Sequence, residues 1–169
     1  MSTFLTSPTI FNQYAESTEF DIEWNTDFNT INSMYSGLAL SKPLLHIARQ
    51  PKNDIKMKSW YLQLTGFNFE NIPDTIAGIQ LKLSVDRHGR VFDDTVQLCY
   101  QNELIGANKC TRTVDPVQFY GGITDTWEID NLSAIVQDPS FGIVLRFKSH
   151  PDWPHKTTPT IRFVELQIY

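Results

Sequence analysis

Apolar and polar residues alternate in a series of runs from Trp60 to Tyr169. Trp60, Leu62 and Leu64 alternate with Tyr61, Gln63 and Thr65 until Gly66 ends the run. Ile79, Leu81, Leu83 and Val85 alternate with Gln80, Lys82, Ser84 and Asp86, the cleanest period of two in the chain. Such a period predicts a strand with one buried face. A turn at His88-Gly89 leads to the next strand, where Val96, Leu98 and Tyr100 alternate with Thr95, Gln97 and Cys99. Residues 102–106 predict another turn or short hairpin. Phe141, Ile143, Leu145 and Phe147 form one face of a further strand, and Val164, Leu166 and Ile168 one face of the last.

One helical turn is expected over Leu132-Ser133-Ala134-Ile135-Val136, capped by Asn131 or Asp130 and stopped by Pro139. Strands without long helical stretches predict an all-β, antiparallel sandwich. The connections from Gly106 to Trp127 and from His150 to Thr160 are long. Long connections between paired strands fit a jelly-roll or Greek-key order better than a meander. Residues 1–58 mix polar residues with isolated aromatics and show no sustained alternation, apart from short apolar runs at Leu38-Ala39-Leu40 and Leu44-Leu45-His46-Ile47. The expected division is an N-terminal arm over residues 1–20, ordering only against a neighbour, and a β-sandwich domain over residues 21–169.

The chain has 169 residues, 41% of them hydrophobic and 12% aromatic, enough for one domain with a substantial core. The net charge of −5 argues against a general nucleic-acid binder, which needs clustered Lys and Arg. The densest basic cluster, Arg87-His88-Gly89-Arg90, is flanked by Asp86, Asp93 and Asp94 and reads as a solvated turn at a hairpin. No run of 18 apolar residues exists, and the N-terminus lacks the basic and apolar segments of a secretory signal. A cytoplasmic site of synthesis is therefore expected. Cys99 and Cys110 could meet across a hairpin, but a reducing cytoplasm disfavours their bridge.

Candidate chemistry is sparse. His150, Asp152 and His155 are metal-ligand types, yet Pro151 and Pro154 stiffen the segment and no fourth ligand is visible. It reads as a solvated loop anchored by Trp153. Asp93-Asp94 could suggest paired carboxylates, but neighbours on a strand point to opposite faces. A turn cap and a surface charge are expected instead. No Gly-x-Ser-x-Gly and no Walker-type loop occurs. Trp24, Tyr35, Trp127 and Trp153 could form a sugar platform, or could plug the sandwich ends and subunit contacts.

Several short motifs occur in a set order. Trp24-Asn25 is followed by Leu62-x-Leu64-x-Gly66-Phe67-Asn68-Phe69 with Ile72-Pro73. Ile76-x-Gly78-Ile79-x-Leu81, Asp94-x-Val96-x-Leu98 and Ile105-Gly106-x-Asn108-Lys109 come next. Tyr120-Gly121-Gly122-x-x-Asp125-x-Trp127 and Phe141-Gly142 complete the series. This order resembles a family of β-rich structural proteins in tailed-bacteriophage virions. Arg162 follows Ile161 where that family usually carries Asp, and Glu128 follows Trp127 where it often carries Gly.

The resemblance implies a non-enzymatic β-sandwich component of a virion assembled in the host cytoplasm. Head decoration, neck or collar, and tail accessory proteins are the stations it suggests. It implies docking on other capsid, neck or tail proteins, homo-oligomers, and no cofactor, membrane or direct nucleic-acid contact. Gly66, Gly78, Tyr120, Gly121, Gly122, Asp125, Trp127, Phe141 and Gly142 would then hold turns and core together. Trp127 would pack beside Phe141, and Asp125 would accept backbone N–H bonds in its loop. The alternative function is a carbohydrate-binding β-sandwich module used in host attachment. A hydrolase would need two facing acids across a cleft.

Overall fold

A computed structural model describes residues 4–16, 21–25, 38–42, 44, 58–150 and 156–169. Among these residues, ten strands and one helical turn follow in the order β1 (Phe4–Thr6), β2 (Ile10–Tyr14), β3 (Leu38–Ala39), β4 (Tyr61–Thr65), β5 (Ile79–His88), β6 (Val91–Tyr100), β7 (Glu103–Ile105), β8 (Val117–Gly121), α1 (Leu132–Ile135), β9 (Gly142–Ser149) and β10 (Thr158–Ile168). One sheet runs β1-β10-β5-β8, with β3 also on β10, and the other runs β2-β4-β9-β6-β7. All strand pairs are antiparallel. Successive strands alternate between the sheets from β4 onward, apart from the β6–β7 hairpin. The orders β1-β10-β5-β8 and β4-β9-β6-β7 are those of a jelly roll, with β2 added outside β4.

The alternating runs supply the core. Leu62, Leu64, Ile79, Leu81, Leu83, Val96 and Leu98 face inward from β4, β5 and β6, and Ile143, Leu145, Phe147, Val164, Leu166 and Ile168 from β9 and β10; all are buried. In β10 the pairing shifts between Ile161 and Phe163, so Ile161 and Val164 both point inward although three positions apart. The helical turn contributes Leu132, and Val136 follows it into the core. Asn131 stands at its N-cap without a side-chain capping bond.

Three expectations need correction. The turn at His88-Gly89 does not close a hairpin: β5 pairs with β10 and β8, whereas β6 pairs with β9 and β7. The chain crosses there from one sheet to the other, with Gly89 at φ 82°. Second, residues 4–16 do not wait for a neighbour. Strand β1 pairs with β10 and β2 with β4, which makes both parts of this chain's own sheets. These short strands are held by ladder bonds rather than by a continuous apolar face, so alternation did not announce them. Third, β9 is buried on both faces, because Val144 and Arg146 on its outer side are covered as well. Of the short run expected at residues 44–47, only Leu44 lies within the described residues; it is buried and pairs with Thr157.

Candidate functional site

The residues of the Tyr-Gly-Gly-x-x-Asp-x-Trp motif converge on Trp127, which is 0% exposed. Its indole Nε1 donates to the Ile79 carbonyl at 3.0 Å, and its backbone N–H to Asp125 Oδ1 at 2.8 Å. Asp125 Oδ2 also pairs with Lys109 Nζ at 3.0 Å, and the Asp125 carbonyl accepts the Ile79 N–H. Trp127 holds φ at 56°, a backbone state that is costly for a bulky side chain. Gly121, at φ 75°, lies against the indole, and Gly78 against the Gly122 carbonyl. Tyr120 is buried, and burial raises the pKa of its hydroxyl. Gly122 has open space around its Cα.

The other motif glycines sit where strands meet. The Gly66 N–H donates to the Pro139 carbonyl, and its carbonyl accepts the Thr9 hydroxyl. Gly142 lies between β4 and β6 in pairing, where a Cβ would stand 1.9 Å from the Leu64 carbonyl oxygen. Phe141 is buried in the same cluster as Trp127. Gly78, Gly121, Asp125 and Trp127 form a brace between β5, β8 and the 122–127 loop.

The charged residues are also spent on structure. Asp93, expected as a turn cap or surface charge, is fully buried. Its carboxylate accepts the N–H groups of Thr111, Arg112 and Thr113 at 2.7, 3.2 and 3.0 Å, so it organises the 111–113 loop from within. Asp94 bonds Lys148 at 2.8 Å and Lys58 at 3.3 Å. Burial opposes its charge, but the two ammonium groups prevail and hold its pKa below the ordinary carboxylate value. Arg87, expected in a solvated turn, folds inward. Its Nε donates to the Asp115 carbonyl, its Nη1 to the Val91 carbonyl, and its guanidinium lies 5.5 Å from the Phe147 ring centroid. Burial lowers its pKa.

Arg146, which the sequence did not single out, is 2% exposed on the outer side of β9. It pairs with Glu16, with Asp21 at 2.7 Å and with the Tyr61 ring at 4.5 Å, and its Nε donates to the Ser59 carbonyl. Burial works against the Arg146 charge, but Glu16, Tyr61 and Asp21 raise its pKa, and Arg146 in turn lowers that of Glu16. The guanidinium thereby ties Glu16 and Asp21 to the sheet. Charge alternation along β9 could not reveal this, because both acids lie more than a hundred positions away.

Both cysteines are free. Cys99 is buried beside Gln63 and its pKa is pushed up to about 11, chiefly by burial. Among the described residues, no group of three or more His, Cys, Asp or Glu could hold a metal ion, and no helix is long and apolar enough to cross a membrane. Residues 151–155 of the possible metal loop lie outside the described residues, as do Tyr35 and Trp153 of the aromatic platform. Trp24 and Trp127 are core side chains and offer no face to a sugar. An open groove of about 440 Å³ runs beside β2 past Ile10, Asn12, Gln63, Asn102 and Ser140, and none of its lining side chains ionises.

Among the described residues, strand β8 ends its sheet, paired on one side with β5. Phe119 is 56% exposed, Val117 45% and Ile123 55%. From Val117 to Thr124 there is no charged residue. Comparison with protein-family models, with curated proteins and with solved structures found no match to this chain.

Proposed function

We propose that this chain is a non-enzymatic structural component of a tailed-phage virion that acts through protein–protein assembly. The observation that carries the assembly part is the bare edge of β8. Sheet edges are normally guarded by charge, by proline within the strand, by bulges or by a covering segment. Here Val117 and Phe119 stand exposed on an uncharged edge strand. The virion part is supported by the ordered motifs from Trp24 to Gly142. Asp93, Asp94 and Asp125 are occupied by backbone N–H groups and lysines, which suits a rigid building block better than acid–base chemistry.

Mass spectrometry of purified particles tests the proposal. The chain should be present at a fixed copy number relative to the major capsid protein and persist through density-gradient purification. Its absence from particles would overturn the virion assignment.

A further inference from the structure

We infer that the β8 edge pairs with the β8 edge of a second copy of this chain, antiparallel and about a two-fold axis at Phe119. The inference rests on the reading of the chain as an assembly module and names its partner. The hydrogen-bond phase of β8 fixes the geometry. The Pro116 carbonyl accepts the Val85 N–H, and the Gly122 N–H donates to the Ile79 carbonyl. In an antiparallel ladder, residues that exchange bonds alternate with residues that do not. Gln118 and Tyr120 therefore face β5 with their backbone groups, and Val117, Phe119 and Gly121 turn theirs to the open edge.

A two-fold axis at Phe119 sets Phe119 opposite Phe119 and Val117 opposite Gly121. Every outward N–H of these three residues then meets an outward carbonyl of the other copy. The two Phe119 rings fall on the same outer face as a cross-strand pair, each with the Lys82 side chain on its other side. Lys82 is itself neutralised by Glu165 at 3.2 Å, so no bare charge sits beside the seam. Self-pairing joins β1-β10-β5-β8 of both copies into one continuous sheet. The edge is self-complementary: its outward groups match those of its own symmetry mate, and two uncharged strands meet without like charges at the seam. The seam is only five residues long. Such a contact is smaller than the roughly 1,200 Å² at the low end of stable interfaces, so a weak, reversible dimer is expected.

Sedimentation velocity on the full chain, from about 1 μM to about 1 mM, tests the inference. Phe119→Pro is the informative variant, because the Phe119 N–H is not used by β5. Proline there removes an intermolecular donor and spares the chain's own ladder. Phe119→Lys is the second variant; it keeps the backbone and brings two ammonium groups together at the axis. The wild type should show a concentration-dependent dimer. Each variant should weaken it at least about tenfold while melting within a few degrees of the wild type. A wild-type chain that stays monomeric throughout, or a dimer that either folded variant leaves at wild-type strength, would overturn the inference. Monomers that still co-purify with particles would overturn the self-pairing alone, whereas absence from particles would overturn the virion assignment.

Discussion

Gly121 lies directly against Trp127: a Cβ on Gly121 would stand 2.5 Å from the indole Nε1 and 2.2 Å from the Ile79 carbonyl oxygen that this Nε1 bonds. Gly121→Ala should therefore destabilise by more than the ~1–3 kcal/mol of a residue held at a disfavoured φ, since the clash adds to the strain. The neighbouring Gly122→Ala meets nothing within 4 Å and should change stability by no more than ~0.5 kcal/mol. Urea melts of the two variants check this contrast. Equal costs would show that the indole does not sit where it is described.

Trp127→Ala should cost about 3–5 kcal/mol, as deletion of a fully buried aromatic side chain does. Trp127→Phe keeps most of the volume and loses the bond to Ile79, so it should cost less. Thermal denaturation of both variants gives the order, and near wild-type stability of the alanine variant would refute the placement.

Arg146→Ala removes the buried guanidinium that pairs with the Asp21 carboxylate and should cost about 3–5 kcal/mol. Glu16, being mostly exposed, adds little to that figure. Arg146→Met keeps an apolar side chain of similar reach in the same buried space and should lose less than the alanine variant. Limited proteolysis should cut next to Glu16 and Asp21 faster in both variants than in the wild type.

Acid should act through the same region. Glu16 and Asp94 have folded pKa values below their unfolded ones, so the native state binds fewer protons than the unfolded chain in the acid range. Their contribution is fully present above the ordinary carboxylate pKa of about 4 and is lost as pH falls through the depressed folded values. The melting temperature should stay level from about pH 7 to pH 5 and drop below about pH 4. Arg146→Met should flatten part of that drop, because Glu16 then titrates nearer its ordinary value.

The thiols should separate by reactivity. Cys99 is buried with a pKa of about 11, whereas Cys110 is half-buried. Iodoacetamide at pH 8 should modify Cys110 first and reach Cys99 only on unfolding. Mass spectrometry of the native and denatured protein reads this directly.

Period-two alternation was enough to locate β5, β9 and the inner face of β10, because Ile79, Ile143 and Val164 face a core common to both sheets. Alternation could not tell a hairpin from a corner at Gly89, since each strand buries one face in either case. The roles of Asp93 and Arg146 were hidden for another reason. Asp93 is held by backbone N–H groups, which leave no residue signature, and Arg146 by acids from a distant segment brought over by tertiary folding. Asp125 and Trp127 were visible through the Gly-rich motif they close, although the Trp127 indole bond reaches Ile79, far away in sequence. The bare edge of β8 was not legible either, because exposure of Phe119 depends on which strand ends the sheet.

The most direct measurement is a cryo-electron microscopy reconstruction of the intact particle at side-chain resolution. The account predicts jelly-roll density for this chain in a defined layer of the virion, with β8 continuing into a neighbouring strand and Phe119 covered. Particles whose complete protein shell contains no such density, or in which the β8 edge faces bare solvent at every copy, would contradict it.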